Sequence, residues 1–185
     1  MFVDDVLFIA FPYAAVLVAV IVSLYRYYTD RFSYSAFSSQ FLESRAQFWG
    51  SVPWHYGIGI ILLAHVIAFI WPAGWADLIA SPARLYILEL IGLSLATAAL
   101  LALILLTIRR MVNKRILAVT STMDWVLFAL LLAQMVLGLW TALFFRWGSD
   151  WFLFTAAPWL LSLLKFAPET QFVTALPWVV KLHML

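Results

Sequence analysis

Long uninterrupted apolar runs dominate this chain and leave it few ways to fold. They extend from Val6 to Tyr25, Val52 to Trp71, Leu85 to Ile108 and Trp125 to Phe145. A fifth opens near Ala175 and is still running at Leu185. A helix needs about 20 such residues to cross hydrocarbon. Inside a bilayer every backbone N–H and C=O must be satisfied by the protein, which leaves helices or closed barrels. Runs this continuous select helices. The 185 residues are 66% hydrophobic and 11% charged, far from the roughly 25% charge of a soluble domain. The expected fold is therefore all-α: a five-helix transmembrane bundle forming a single domain over residues 1–185.

The fifth run is unusual. Trp178 to Leu185 reads as the opening turns of a span, and about ten residues rise only about 15 Å. The expectation is a fifth helix truncated in this sequence, or else a half-span ending inside the bundle. Trp151 to Leu164 is apolar but short and carries Pro158, so it is expected to lie along the bundle surface rather than to cross.

Basic residues set the orientation. Arg26, Arg31 and Arg45 fall between spans one and two, and Arg109, Arg110, Lys114 and Arg115 between spans three and four. Only Arg84, Arg146 and Lys165 fall on the other side. The positive-inside rule puts the richer side in the cytoplasm and the N-terminus outside. Asp4 and Asp5 suit that outer position. With no positive n-region, the start is not a cleavable signal peptide. A multi-pass protein of a prokaryotic cell membrane is implied. The chain has no cysteine, which excludes disulfides, covalently attached c-type haem and cysteine-held iron–sulfur clusters in this chain.

Three histidines stand on these apolar runs: His55 and His65 on the second, His183 on the fifth. A hydrogen-bonding, ionisable group inside a span is a functional-site candidate by default, and histidine is a common axial ligand of haem iron. Span two enters from the cytoplasm, so His65 lies about 15 Å nearer the outside than His55. Span five enters from outside, so His65 and His183 reach similar depth and can face one another across a haem. His55 is too deep to share it and needs a partner beyond Leu185. About 80° separates His55 from His65 around the helix, so periodicity alone does not demand two stacked haems. Two imidazoles fill both axial positions, which suits electron transfer rather than oxygen chemistry. Arg45, Arg109 and Arg110 are candidate partners for inner-level propionates.

Other readings of the same residues remain open. A histidine near a helix end, His55 above all, can satisfy an interfacial hydrogen bond. A haem-free anchor or assembly protein, or a transporter relaying protons through histidine, would carry similar hydropathy. The chain has neither an inverted repeat nor the broken-helix pair that transporters use. Glu89 is a possible proton relay or structural pair, and Asp124 suits a helix N-terminus. Gly57, Gly59, Gly92 and Gly138 suit close packing by helices or a porphyrin.

The chain resembles a known family. The loop Arg26-Tyr27 and Phe32-Ser33-Tyr34-Ser35-Ala36-Phe37-Ser38-Ser39-Gln40-Phe41-Leu42, and Trp54-His55-Tyr56-Gly57-Ile58-Gly59 followed by Ala64-His65, are similar to the gamma subunit of respiratory nitrate reductase. So are Pro12-Tyr13, Arg109-Arg110, Asp124, Gln134 with Leu137-Gly138-Leu139, and Lys181-Leu182-His183 where the family has Arg-Leu-His. The resemblance runs through essentially the whole chain. It implies a five-helix dihaem cytochrome b that oxidises menaquinol or ubiquinol near the outer haem. Electrons would pass to an iron–sulfur (beta) subunit and a molybdenum (alpha) subunit. It carries the outer haem b onto His65 and His183, and the inner onto His55 and a ligand absent here. Arg84 takes the place of a quinone-binding basic residue, usually lysine, with His65 beside the head group. A cytochrome b subunit serving a sulfur-compound or heterodisulfide reductase would look much alike.

Overall fold

The computed structural model describes residues 2–31 and 45–185, with side chains for all of these except 45–47. The loop Phe32 to Leu42, which carries part of the family resemblance, and the Arg45 side chain lie outside the described residues. Every regular element among the described residues is helical.

Among the described residues four helices are long and apolar enough to cross a membrane. They are α1 (Phe2–Thr29), α2 (Arg45–Ile70, apolar over Phe48–Ile70), α4 (Pro82–Val112) and α6 (Thr122–Phe144). Between them lie α3 (Pro72–Ile79) and α5 (Lys114–Ala118). After α6 come α7 (Gly148–Trp151), a 3-10 turn at Phe152–Phe154, α8 (Ala156–Leu164), α9 (Gln171–Thr174) and α10 (Trp178–Met184). The fifth apolar run thus forms a helix of 7 residues.

Local chemistry sets the boundaries. Proline opens α3 and α4, where its missing N–H costs nothing and its fixed φ suits the first turn. Ser121 and Asp124 form a reciprocal capping box at the start of α6. Asn113 accepts from the backbone N–H groups of Arg115 and Ile116 to start α5. The turn out of α6 passes through Trp147 in the left-handed region (φ 66°).

Pro12 shapes α1. It has no N–H to offer the carbonyl of Phe8 one turn earlier, and the preceding stretch Val6–Ala10 widens into a π turn. Trp159 supplies the missing donor, its indole N–H reaching Phe8 O at 3.0 Å. The Tyr13 hydroxyl returns a bond to Leu163 O at 2.8 Å. Phe8, Trp159, Leu163 and Val173 form one buried cluster. The segment expected to lie on the bundle surface therefore plugs against α1, because its tryptophan has a carbonyl to satisfy.

The long helices pack in sequence, α2 on α4, α4 on α6 and α6 on α10. Small residues bring α2 and α4 together: a Cβ on Gly57 would meet Ala99 Cβ at 3.1 Å and Leu95 O at 3.2 Å. Gly59 and Gly92 face open space. Ala99, Leu103 and Met135 are buried between α4 and α6. Asp4, which the sequence suggests is left in outer solvent, is instead buried against Lys181. Asp5 accepts from the Thr170 hydroxyl at 3.2 Å. The start of α1 is thereby tied to the segment that leads into α10.

Candidate functional site

All three histidines use their ring nitrogens in the same way. His55 Nδ1 lies 2.7 Å from Ser51 O and 3.1 Å from Ser51 Oγ, and His65 Nδ1 lies 2.8 Å from Ile61 O. His183 Nδ1 lies 3.0 Å from Gln134 Oε1. A carbonyl or amide oxygen only accepts, so each Nδ1 carries the proton and each Nε2 keeps its lone pair. That is the tautomer of a metal-ligating imidazole whose second nitrogen is anchored. His55 and His65 anchor to the carbonyl one turn back on their own helix. His183 anchors to a different helix.

His65 stands on α2 and His183 on α10, which packs against α6. His65 also meets Phe152 edge-on, with ring centroids 5.8 Å apart. His55 lies on the same helix about 15 Å away along its axis, toward the end that carries Arg26, Arg109 and Arg110.

One face of α6 receives His183. Gln134, Gly138 and Thr141 follow helical spacing along it. A Cβ on Gly138 would fall 2.7 Å from His183 Cε1 and 3.1 Å from its Nε2, so only glycine admits the ring there. Thr141 is buried, and its hydroxyl has no hydrogen-bond partner. Among the described residues no group of three or more His, Cys, Asp or Glu forms a metal cage. A haem needs none, because its porphyrin supplies the equatorial nitrogens and the protein only the axial ones. An anchored His183, a glycine slot and an orphaned buried hydroxyl along one face of α6 fit such a group.

The basic candidates fall into different places. Arg84 is exposed on the first turn of α4 and donates to Asp77 O at 3.0 Å, bracing the α3–α4 turn. Arg109 is buried at the end of α4. Arg110 pairs with Asp124 at 3.2 Å, donates to Thr120 Oγ1 at 3.3 Å and covers the Phe128 ring. It locks the α4–α6 turn, and a propionate would have to share it. Glu89 accepts from the backbone N–H of Ser149 at 2.9 Å and so caps α7.

Two contributors escape a reading of the sequence alone. Gln134 shows there only as a polar residue in an apolar helix, with nothing to say that it faces His183. Thr141 resembles any helical threonine. An amide in mid-span is the signal that could have drawn attention to Gln134.

Comparison with known proteins adds an independent finding. The family model described as nitrate reductase gamma subunit matches residues 4–185. The nitrate reductase gamma chain of Bacillus subtilis (strain 168) is 30% identical over 178 residues, covering 94% of this chain and 79% of that protein. The respiratory nitrate reductase 2 gamma chain of Escherichia coli (strain K12) is 26% identical over 182 residues, covering 95% and 79%. The nitrate reductase-like protein NarX of Mycobacterium tuberculosis (strain ATCC 25618 / H37Rv) is 27% identical over 179 residues, which is 94% of this chain and 28% of that protein. With its four apolar helices and a family match running from Asp4 to Leu185, the chain belongs to the nitrate reductase gamma subunit family.

Proposed function

We propose that this chain is the quinol-oxidising cytochrome b subunit of a membrane-bound nitrate reductase, passing electrons inward through b haems. The acceptor is an iron–sulfur (beta) subunit at the cytoplasmic face, which serves a molybdenum (alpha) subunit. The chain sits in a prokaryotic cell membrane with its N-terminus outside and Trp178–Met184 as the fifth helix of the bundle. The observation that carries the reading is the common state of the three imidazoles, Nδ1 anchored to an acceptor oxygen and the lone pair left on Nε2.

His65 and His183 would hold the outer haem, and His55 one side of an inner one. Bound haem b would supply one-electron redox chemistry there. Around it the chain's own residues do the positioning. Ile61 O and Gln134 hold the two outer imidazoles in one tautomer. Gly138 gives His183 room, and the Thr141 hydroxyl is available to a polar edge. Arg109 and Arg110 would provide positive charge at the inner level.

Menaquinol or ubiquinol would enter from lipid near His65, with Arg84 holding its head group while the protons leave to the outside. Arg84 can act so only by relaxing its bond to Asp77 O, a single hydrogen bond worth about 1.5–3 kcal/mol for a charged donor. Each electron moved inward works against the membrane potential by about 2.3 kcal/mol per 100 mV, so the redox drop from quinol must exceed this.

A visible spectrum of the purified complex tests the reading. Six-coordinate b-haem absorption is expected, and its absence would favour a haem-free membrane anchor. The soluble subunits that copurify separate a nitrate reductase from a sulfur-compound or heterodisulfide reductase.

A further inference from the structure

His183 could have anchored its ring as His55 and His65 do, on the carbonyl one turn back in its own helix, here that of Val179. It instead reaches Gln134, 49 positions away on α6, at 3.0 Å. The amide is held in that sense from its other end, since Gln134 Nε2 donates to Leu182 O at 3.4 Å. A carbonyl can only accept, so Nε2 must point to Leu182 and Oε1 to His183. One side chain thus grips both the imidazole and the backbone beside it. One turn further along α6, Gly138 lets the ring lie against the helix.

We propose that Gln134 is the positioning residue of the outer haem: it locks His183 in the tautomer that leaves the lone pair on Nε2 and, through its hydrogen bond to Nδ1–H, sets the reduction potential of iron held there. This rests on the haem reading above. An acceptor on Nδ1–H makes the imidazole more electron-rich, which favours ferric over ferrous iron. His65, bonded to an ordinary helix carbonyl, leaves the adjustable share of that effect to Gln134.

The test is an optical redox titration of the b-haem bands in the assembled complex, comparing the parent with Gln134→Leu and Gln134→Glu. Gln134→Leu removes the acceptor at nearly constant shape, and the outer midpoint potential rises. Gln134→Glu keeps an acceptor oxygen at the same reach and returns the potential to the parent value or below it. Loss of the outer haem in Gln134→Leu, with retention in Gln134→Glu, also supports the role. Haem content and potentials equal to the parent in both variants overturn it, as does loss of the haem from both. A parent complex without b-type absorption sinks the haem reading itself and is thereby told apart.

Discussion

Lys181 Nζ stands 2.6 Å from Asp4 Oδ1, joining two residues 177 positions apart in a buried ion pair. Lys181 also donates to Thr174 O at 2.9 Å and sits 5.0 Å from the centre of the Trp178 ring. Two charges held away from water need this many partners, since desolvation costs several kcal/mol per ion. The pair lies two residues from His183, so it fixes where α10 enters the bundle and hence where that imidazole can reach.

Breaking the pair on one side takes from the Asp4 carboxylate its lysine partner. Lys181→Met is expected to destabilise the protein. The double variant Asp4→Leu with Lys181→Met recovers most of the loss, because neither charge remains. Thermal denaturation of the purified protein in detergent measures both; a double variant as unstable as the single one would show that the pair is not the cause.

Gly138→Ala puts a methyl group 2.7 Å from His183 Cε1. The ring is gripped by Gln134 and cannot swing aside without losing that bond. The outer haem band is expected to weaken or shift while the helical circular dichroism stays at the parent level. An unchanged visible spectrum would mean that the ring has room to move.

Trp159→Phe keeps the aromatic packing on Phe8, whose ring meets Trp159 at 5.4 Å, but removes the indole donor. Phe8 O is then left without the partner that Pro12 already denies it within α1. A cost of about 1–3 kcal/mol follows for the unsatisfied buried carbonyl. Trp159→Phe together with Pro12→Ala restores a helix N–H to it and recovers part of the loss, which the same melts read out.

Arg84→Ala separates anchor from quinol ligand. With Arg84 in the quinol site, turnover falls about tenfold, equivalent to about 1.4 kcal/mol, with both haem bands intact. Unchanged turnover with a lowered melting temperature would leave Arg84 only its bond to Asp77 O.

The four long helices were legible because about twenty apolar residues in a row have one stable solution in a bilayer. The similar depth expected for His65 and His183 came from alternating direction and rise per residue. The structural role of Asp124 was legible from its place at the start of the fourth run, while its exchange of bonds with Ser121 appears only in the fold. The remainder depends on contacts between residues distant in sequence. Nothing in the local pattern says that Asp4 meets Lys181, that Trp159 answers the gap left by Pro12, or that Gln134 rather than Val179 O anchors His183. The segment from Trp151 to Leu164 misleads for the same reason. Its length forbids a crossing, but only its partners on α1 make it part of the core.

Reduced-minus-oxidised visible spectra of the assembled complex bear most directly on the central claim that His65 and His183 hold one haem between them. His65→Ala and His183→Ala are each expected to abolish the same b-haem component, while His55→Ala leaves that component in place. A full parental spectrum in either His65→Ala or His183→Ala would contradict it.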